Sequence, residues 1–172
     1  MSVLLGADGR KDDVFAAVDD ISELSLNDGP VLVPLTVIDE ALTHRRNVAI
    51  GLAVDNNAPV CALEEYFDKV ALIAVAFPSF SDGRGFTLAK RLRRAGFTGT
   101  LRARGPLIAD EFHDALACGF DEVEVPDEMA ARQPPEQWLR QKAIVSAHYQ
   151  NGYGEGLSIL QQRARARKAA AE

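Results

Sequence analysis

A nearly unbroken apolar run, Lys69–Phe77, limits the possible folds of this chain more than any other segment. A strand with apolar side chains on both faces is typical of a parallel sheet that is covered by helices. The run is followed by the turn Asp82-Gly83-Arg84-Gly85 and by a segment whose apolar residues Phe86, Ala89 and Leu92 repeat at helical spacing. In α/β proteins, ligands usually bind where a strand leads through a Gly-rich turn into a helix.

Other apolar runs and helical patterns alternate along the chain from Val31 onward. They predict further strands over 31–35, 47–54, 98–104 and 122–125, and helices over 36–45, 62–67, 82–95, 106–118 and 135–149. We therefore expect an α/β fold with a mostly parallel sheet of about five strands and flanking helices, flavodoxin-like or a related layered fold. The predicted organisation is an N-terminal segment (1–28), a single α/β domain (29–150) and a flexible, basic C-terminal tail (151–172).

The composition excludes several classes of function. A net charge of −6 and a pI near 5.1 argue against a general nucleic-acid binder. The sequence has no apolar run of about 18 residues and no basic start typical of a signal peptide, so we expect a cytoplasmic protein without a membrane span. Two distant cysteines and three scattered histidines do not have the spacing of iron–sulfur or zinc ligands. The sequence therefore predicts neither a metal nor a cofactor.

The turn Asp82-Gly83-Arg84-Gly85 is the first candidate site for an anion. Its glycines allow close approach of the backbone, and the free N–H groups of the following helix favour negative charge. Arg84 could add a bidentate contact to a phosphate, sulfite, sulfate or carboxylate. The alternative is a helix entry in which Asp82 caps the helix and Arg84 pairs with a neighbouring acid.

Arg102 and Arg104 form a second candidate, because residues two apart on a strand point to the same face. With Gly105 they lie near the carboxyl end of a predicted strand, where Arg84 and Arg104 could converge on one anion. The alternative is that both arginines pair with acids on the adjacent strand, Glu122 or Glu124. The full set predicted to bind an anion or ligand is Asp82, Gly83, Arg84, Gly85, Arg102, Arg104 and Gly105.

Basic residues also cluster on the helix that follows the turn. Lys90, Arg91 and Arg94, together with Arg93, form a local exception in an acidic protein. The first three are predicted to dock an acidic partner. The alternative is an ordinary solvated helix face.

Three residues of the next helix are candidate reactive groups. Asp110 and Glu111 fall in its first turns, where acids stabilise the helix dipole; the alternative is a general base or a metal ligand facing Arg104. Cys118 precedes a helix-ending glycine and is expected to be a small buried residue. A redox role for Cys118 lacks a nearby second cysteine.

Several short motifs together resemble one bacterial family. They are Phe77-x-x-Phe80-x-Asp82-Gly83-Arg84-Gly85, Leu101-Arg102-Ala103-x-Gly105 and Cys118-Gly119-Phe120-Asp121. This set resembles the domain of unknown function 934 family, most closely between Phe77 and Val125. The resemblance implies a role in sulfur assimilation, as an oxidoreductase or an accessory protein of sulfite reduction with sulfite reductase as its partner. Pro106 and Glu111 depart from the family pattern.

The sequence contains no flavin, nicotinamide, siroheme or cluster motif. Together with this lack, the resemblance implies an accessory protein of assimilatory sulfite reduction, which we expect to bind a partner or a small sulfur oxyanion at the Asp82–Gly85 turn. The alternative is an enzyme, an oxidoreductase by family resemblance only, that acts on a small anionic or phosphorylated substrate. An electron carrier is the third reading, and the two cysteines argue against it.

Overall fold

The structure is a computed structural model that describes residues 2–44 and 47–144. In these residues a single sheet of eight strands is formed. The strands are β1 (Ser2–Gly6), β2 (Gly9–Lys11), β3 (Ala16–Ala17), β4 (Val31–Pro34), β5 (Ile50–Val54), β6 (Leu72–Ala76), β7 (Thr100–Arg104) and β8 (Glu122–Pro126). Their spatial order is β2-β1-β8-β7-β6-β5-β4-β3. Strands β3 to β8 are parallel, whereas β1 pairs antiparallel with both β8 and β2.

Four helices connect parallel strands: α1 (Ile21–Leu24), α2 (Ile38–His44), α3 (Arg84–Arg94) and α4 (Phe112–Ala117). Two more, α5 (Asp127–Arg132) and α6 (Pro135–Ile144), follow β8. The 3₁₀ turns Val60–Ala62 and Glu64–Tyr66 join β5 to β6, and a third, Ala109–Glu111, precedes α4. Helix α3 forms because Leu88, Ala89 and Leu92 share one stripe, which is buried against the sheet. Within the described ranges, no helix combines the length and the apolar character that crossing a bilayer requires.

The order of the parallel strands places the connecting helices on one face of the sheet. Each strand from β4 to β8 lies beside the strand that precedes it in the chain. Because strand–helix–strand crossovers are right-handed, successive steps in one direction put every crossover on the same side. A flavodoxin-like sheet reverses its order midway and carries helices on both faces. The flavodoxin-like prediction is therefore wrong, although the broader α/β prediction is confirmed.

The sheet is strongly curled. Strand β2 ends at Lys11 and β3 begins at Ala16, yet these two strands lie at opposite edges. Seven strand spacings in a flat sheet would separate the edges by about 34 Å. The five residue steps between the two strands reach at most about 18 Å. The edges must therefore approach each other, which makes the helix-free face concave.

The two faces of the sheet have different chemistry. The helix-covered face carries the main core, in which Val33, Leu52, Ile73, Leu101 and Val123 are fully or almost fully buried. The concave face carries a small apolar cluster of Leu32, Leu72 and Ala74, with Phe15 and Ala53 packed against it. Beside that cluster, β7 and β8 place charged side chains on the concave face.

All five strands predicted from the sequence are present and parallel, but the predicted number is too low. Residues 2–17, within the predicted N-terminal segment, add three strands to the same sheet. The predicted helix over 62–67 is instead a pair of 3₁₀ turns. Residues 145–149 of the last predicted helix and the predicted tail over 151–172 lie outside the described residues.

Candidate functional site

A buried arginine dominates the charged part of the concave face. Arg102 exposes only 2 % of its side chain. Its Nε donates to Glu122 Oε1 at 2.9 Å, its Nη1 to Glu124 Oε2 at 3.2 Å and to Asp13 Oδ2 at 2.7 Å, and its Nη2 to Asp13 Oδ1 at 2.9 Å. Three carboxylates thus surround one guanidinium. This is the ion pairing with the neighbouring strand that the sequence offered as the alternative to anion binding.

The acids of this cluster have further partners. Lys11 Nζ donates to Glu122 at 2.5 Å, and Ser2 Oγ donates to Glu124 at 3.0 Å. Burial alone would raise the pKa of Asp13, but hydrogen bonds from Arg102 and from the Phe15 N–H outweigh it, so its pKa is lowered. Burial alone would likewise lower the pKa of Arg102, and the hydrogen bonds that it donates to Asp13 and Glu122 instead raise its pKa above the ordinary value. Arg102 is therefore a structural ion-pair centre.

Arg104, two residues further along β7, is in a different situation. It is 42 % exposed, and its closest carboxylate contact is the 3.3 Å approach of Nε to Glu124 Oε1. Among the described residues, its guanidinium donates no hydrogen bond that satisfies normal geometry. Arg104 therefore presents a positive charge at the carboxyl edge of the parallel strands, where α/β proteins bind ligands.

Two cavities meet at Arg104. The larger has a volume of about 570 Å³ and lies on the concave face at the ends of β4 to β7. Its lining is Pro34, Leu35, Thr36, Ala53, Val54, Asp55, Asn57, Ala58, Pro59, Ala74, Ala76 and Arg104. The smaller, of about 330 Å³, is lined by Ser2, Arg104, Gly105, Glu124, Val125 and Pro126. One arginine thus serves as a wall of both, which makes this edge the candidate functional site.

Gly105 has a structural reason for its place beside Arg104. Its φ of +144° is a conformation that side chains rarely adopt, and a Cβ there would lie 2.0 Å from the carbonyl oxygen of Phe77. The Gly105 N–H donates to the carbonyl of Glu124, and the Phe77 N–H donates to the carbonyl of Arg104. Gly105 therefore allows the ends of β6, β7 and β8 to be held close together.

The Asp82–Gly85 turn is an internally paired helix entry. Arg84 donates from Nε and Nη2 to the Asp82 carboxylate at 2.9 and 2.6 Å, and the Arg84 N–H donates to Asp82 Oδ1. The side-chain bond from Arg84, and then that from Asn56, hold the pKa of Asp82 well below its usual range. Gly83 stands at the helix start, and a Cβ on Gly85 would collide with the Phe77 ring. The pairing of Arg84 with a neighbouring acid, which the sequence offered as part of the alternative, is present, whereas the N-cap is Gly83 and not Asp82.

Arg84 and Arg104, the two arginines predicted to converge on one anion, are associated with different faces of the sheet. Helix α3, which begins at Arg84, packs on the helix-covered side, whereas Arg104 lines a cavity on the concave side. A link between them runs through the loop after β5. Asn56 Nδ2 donates to Asp82 Oδ2 at 2.9 Å, and the neighbours of Asn56, Asp55 and Asn57, line the larger cavity. Asp82 thus acts as a positioning residue for that loop.

The basic residues of α3 divide into an outer and an inner group. Lys90, Arg91 and Arg94 are exposed, whereas Arg93 is turned inward. Arg93 donates to the carbonyls of Phe97, Gly99 and Gly119 and pairs with Asp121 at 2.6 Å. Docking by the three outer residues stays a prediction.

The remaining candidates have mainly structural surroundings. Cys118 is buried, and burial raises the pKa of its thiol against the opposing effect of Lys90. Glu111 accepts a hydrogen bond from the Ile108 N–H, and burial raises its pKa. Asp110 is exposed. Across the described ranges, no three His, Cys, Asp or Glu side chains are grouped so as to hold a metal ion.

Sequence reasoning missed most of the cavity wall and all of the N-terminal contribution. Thr36 and Asp55 follow directly after predicted strands, and Asn57 lies two residues beyond Asp55; that position was the signal that could have identified them. Lys11 and Asp13 lie in a segment without hydrophobic periodicity. Nothing local indicates that they reach acids and arginines more than 80 positions away.

Comparisons with known proteins bear on the family and not on the chemistry of the site. A comparison with curated proteins finds no match to this chain. A family model described as bacterial protein of unknown function (DUF934) matches residues 51–159, which is more than half of the 172 residues. The match includes the loop after β5, Arg104 and Gly105. On this match, the chain belongs to the DUF934 family of bacterial proteins of unknown function.

Proposed function

We propose that this chain is a cytoplasmic accessory protein of assimilatory sulfite reduction that holds a small oxyanion at Arg104. The link to sulfite reduction rests on the family resemblance of the motifs between Phe77 and Val125. The binding function rests on the cavity edge of the concave face. Relative to the sequence-based expectation, the proposed anion site moves from the Asp82–Gly85 turn to the end of β7.

The exposed guanidinium of Arg104 is the observation that supports this site. Arg84 has its bidentate capacity taken up by Asp82, and Arg102 is surrounded by three acids. Arg104 has one long contact, to Glu124, and opens into both cavities. A planar guanidinium with available donors suits the oxygens of sulfite, sulfate or phosphate.

Binding of inorganic sulfite, sulfate and phosphate to single variants tests the site. Arg104→Gln should weaken binding about tenfold to a hundredfold, since a hydrogen-bonded charge contact contributes roughly 1.5–3 kcal/mol. Arg10→Gln removes the same charge from exposed β2 and serves as the matched control. Loss of binding in Arg84→Gln with full binding in Arg104→Gln would return the site to the turn and contradict the proposal.

The outer residues of α3 are the proposed docking surface for sulfite reductase. Lys90, Arg91 and Arg94 present positive charge in a protein whose net charge is −6. Affinity purification of the tagged protein from its host, grown on sulfate, should recover sulfite reductase. Replacing the three residues by glutamate should abolish that recovery, whereas Arg132→Glu on α5 should not. Equal recovery by both variants would contradict docking through α3.

An enzyme acting on a small anionic substrate is the second candidate. The larger cavity favours this candidate, because it lies at the carboxyl ends of parallel strands, where α/β enzymes bind substrates, and because Arg104 and Asp55 both line it. Incubation of the purified protein with sulfite or phosphorylated substrates, followed by product analysis, separates the two. Turnover that Arg104→Gln abolishes supports the enzyme, and binding without turnover supports the accessory protein.

A further inference from the structure

The larger cavity has three zones with different chemistry. Arg104 supplies positive charge at the β7 end. Ala53, Ala74 and Ala76 form a floor of small apolar side chains on β5 and β6. At the far end the loop after β5 contributes Asp55. A cavity of about 570 Å³ with this division falls within the size range of sites for small organic molecules, roughly 300–1,000 Å³.

The far end of the cavity is suited to a hydrogen-bond donor or a cation. Asp55 is exposed, and among the described residues no Lys, Arg or His pairs with its carboxylate. Thr36 and Asn57 add a hydroxyl and an amide, neither bonded to another described side chain. The acid and Arg104 thus line one cavity from β5 and β7, with β6 between them.

The sheet fixes the separation of the two ends. Asp55 directly follows β5, Arg104 ends β7, and β6 lies between these strands. Two strand spacings correspond to about 10 Å. Removing apolar surface from water favours binding only when another apolar group covers it. A bare inorganic ion therefore leaves the alanines between Asp55 and Arg104 without such a contact.

We propose that the oxyanion bound by Arg104 is one end of an elongated organic molecule that carries an amino group at its other end. Its aliphatic middle lies on the Ala53–Ala74–Ala76 floor, and its amine pairs with Asp55. This inference rests on the proposed anion site at Arg104 and specifies the class of ligand that the site takes.

Four probes test the assignment by calorimetry: inorganic sulfate, hexanesulfonate, and the propane- and hexanesulfonates with a terminal amine. Each methylene that becomes buried should tighten binding by up to about fourfold, so the longer aminosulfonate should bind at least about tenfold more tightly than the shorter one. The terminal amine should add about threefold to fivefold over hexanesulfonate.

Two variants test which residues provide the additional affinity of the longer and the amine-bearing probes. Ala53→Leu fills the floor two strands away from Arg104 and should reduce the affinity gain of the hexane probes over sulfate. Asp55→Asn changes an exposed loop residue, so the fold should survive, and it should remove the affinity difference between the amine-bearing hexane probe and hexanesulfonate. Arg104→Gln should weaken binding of all four probes.

The outcomes separate this inference from the proposed function. Sulfate binding that depends on Arg104, with no gain from the hexane chain or the amine, would overturn the organic ligand and retain the anion site. If no probe binds, or if Arg104→Gln leaves the binding of every probe unchanged, both the organic ligand and the anion site are overturned. A gain from chain length that Ala53→Leu leaves intact would also overturn the placement on the alanine floor.

Discussion

Replacing Arg102 by methionine is expected to lower the free energy of unfolding by about 3 kcal/mol at neutral pH. Removing one partner of a buried ion pair costs about 3–5 kcal/mol, because the remaining charge stays buried without its counter-ion. The lower end applies here because each acid keeps another source of stabilisation. Glu122 keeps Lys11, Glu124 keeps Ser2 and Arg104, and Asp13 is partly exposed to water.

The single tryptophan provides the assay. Trp138 is fully buried, with its Nε1 donating to the Gln133 carbonyl, so its fluorescence should report unfolding by urea or heat. A loss of about 3 kcal/mol corresponds to a fall in Tm of about 6–12 °C for a chain of this size. Arg104→Met, which removes one half-exposed contact, is the matched control and should cost no more than about 1 kcal/mol.

The pH dependence of this loss follows from the lowered pKa of Asp13. A carboxyl whose pKa is lower in the folded protein stabilises the fold above its unfolded pKa, and that contribution disappears as pH falls through the folded-state value. The difference in free energy of unfolding between Arg102→Met and the wild type should therefore become smaller as the pH is lowered. Equal stability of Arg102→Met and Arg104→Met at neutral pH would refute the reasoning that buried acids depend on Arg102.

Three further outcomes are expected. Gly105→Ala should destabilise the fold by at least about 2 kcal/mol in urea unfolding, through backbone strain and the clash with Phe77, and an unchanged midpoint would contradict the close approach. A thiol reagent should label exposed Cys61 in the native protein and Cys118 only after unfolding, as mass spectrometry of the labelled peptides would show. Asp82→Asn should flatten the acid limb of the stability profile, since the lowered pKa of Asp82 contributes stability that protonation removes; a profile unchanged from wild type would count against this.

The parallel strands could be predicted because their signals are local. The run that becomes β6 is apolar on both faces, and the stripe of α3 has helical spacing. Strands β2 and β3 have no comparable signal, since one reads Gly-Arg-Lys and the other consists of two alanines. Pairing with distant partners, and not their own sequence, places them in the sheet.

The candidate site could be predicted only to the level of residue types at a strand end. Two arginines on one face of β7 were evident, and so were their possible partners on β8. Which arginine is buried depends on Asp13, which reaches Arg102 only because the curled sheet brings the N-terminal segment across its concave face. The sequence pattern therefore makes Arg102 and Arg104 equal candidates for anion binding. Only the tertiary structure shows which of the two is buried in ion pairs.

The pairing of β1 with β8 has a consequence for the order of folding. Ser2 and Glu124 are hydrogen-bonded although 122 positions separate them. As a chain is synthesised, each parallel strand from β4 onward can be added beside the one before it, but β1 has no neighbour other than β2 until β8 exists. Such long-range pairing is slow because its entropic cost comes before its contacts. The residues of β1 are thus synthesised well before the strand with which they pair, and Leu4 and Leu5 stay unprotected against aggregation until β8 is in place.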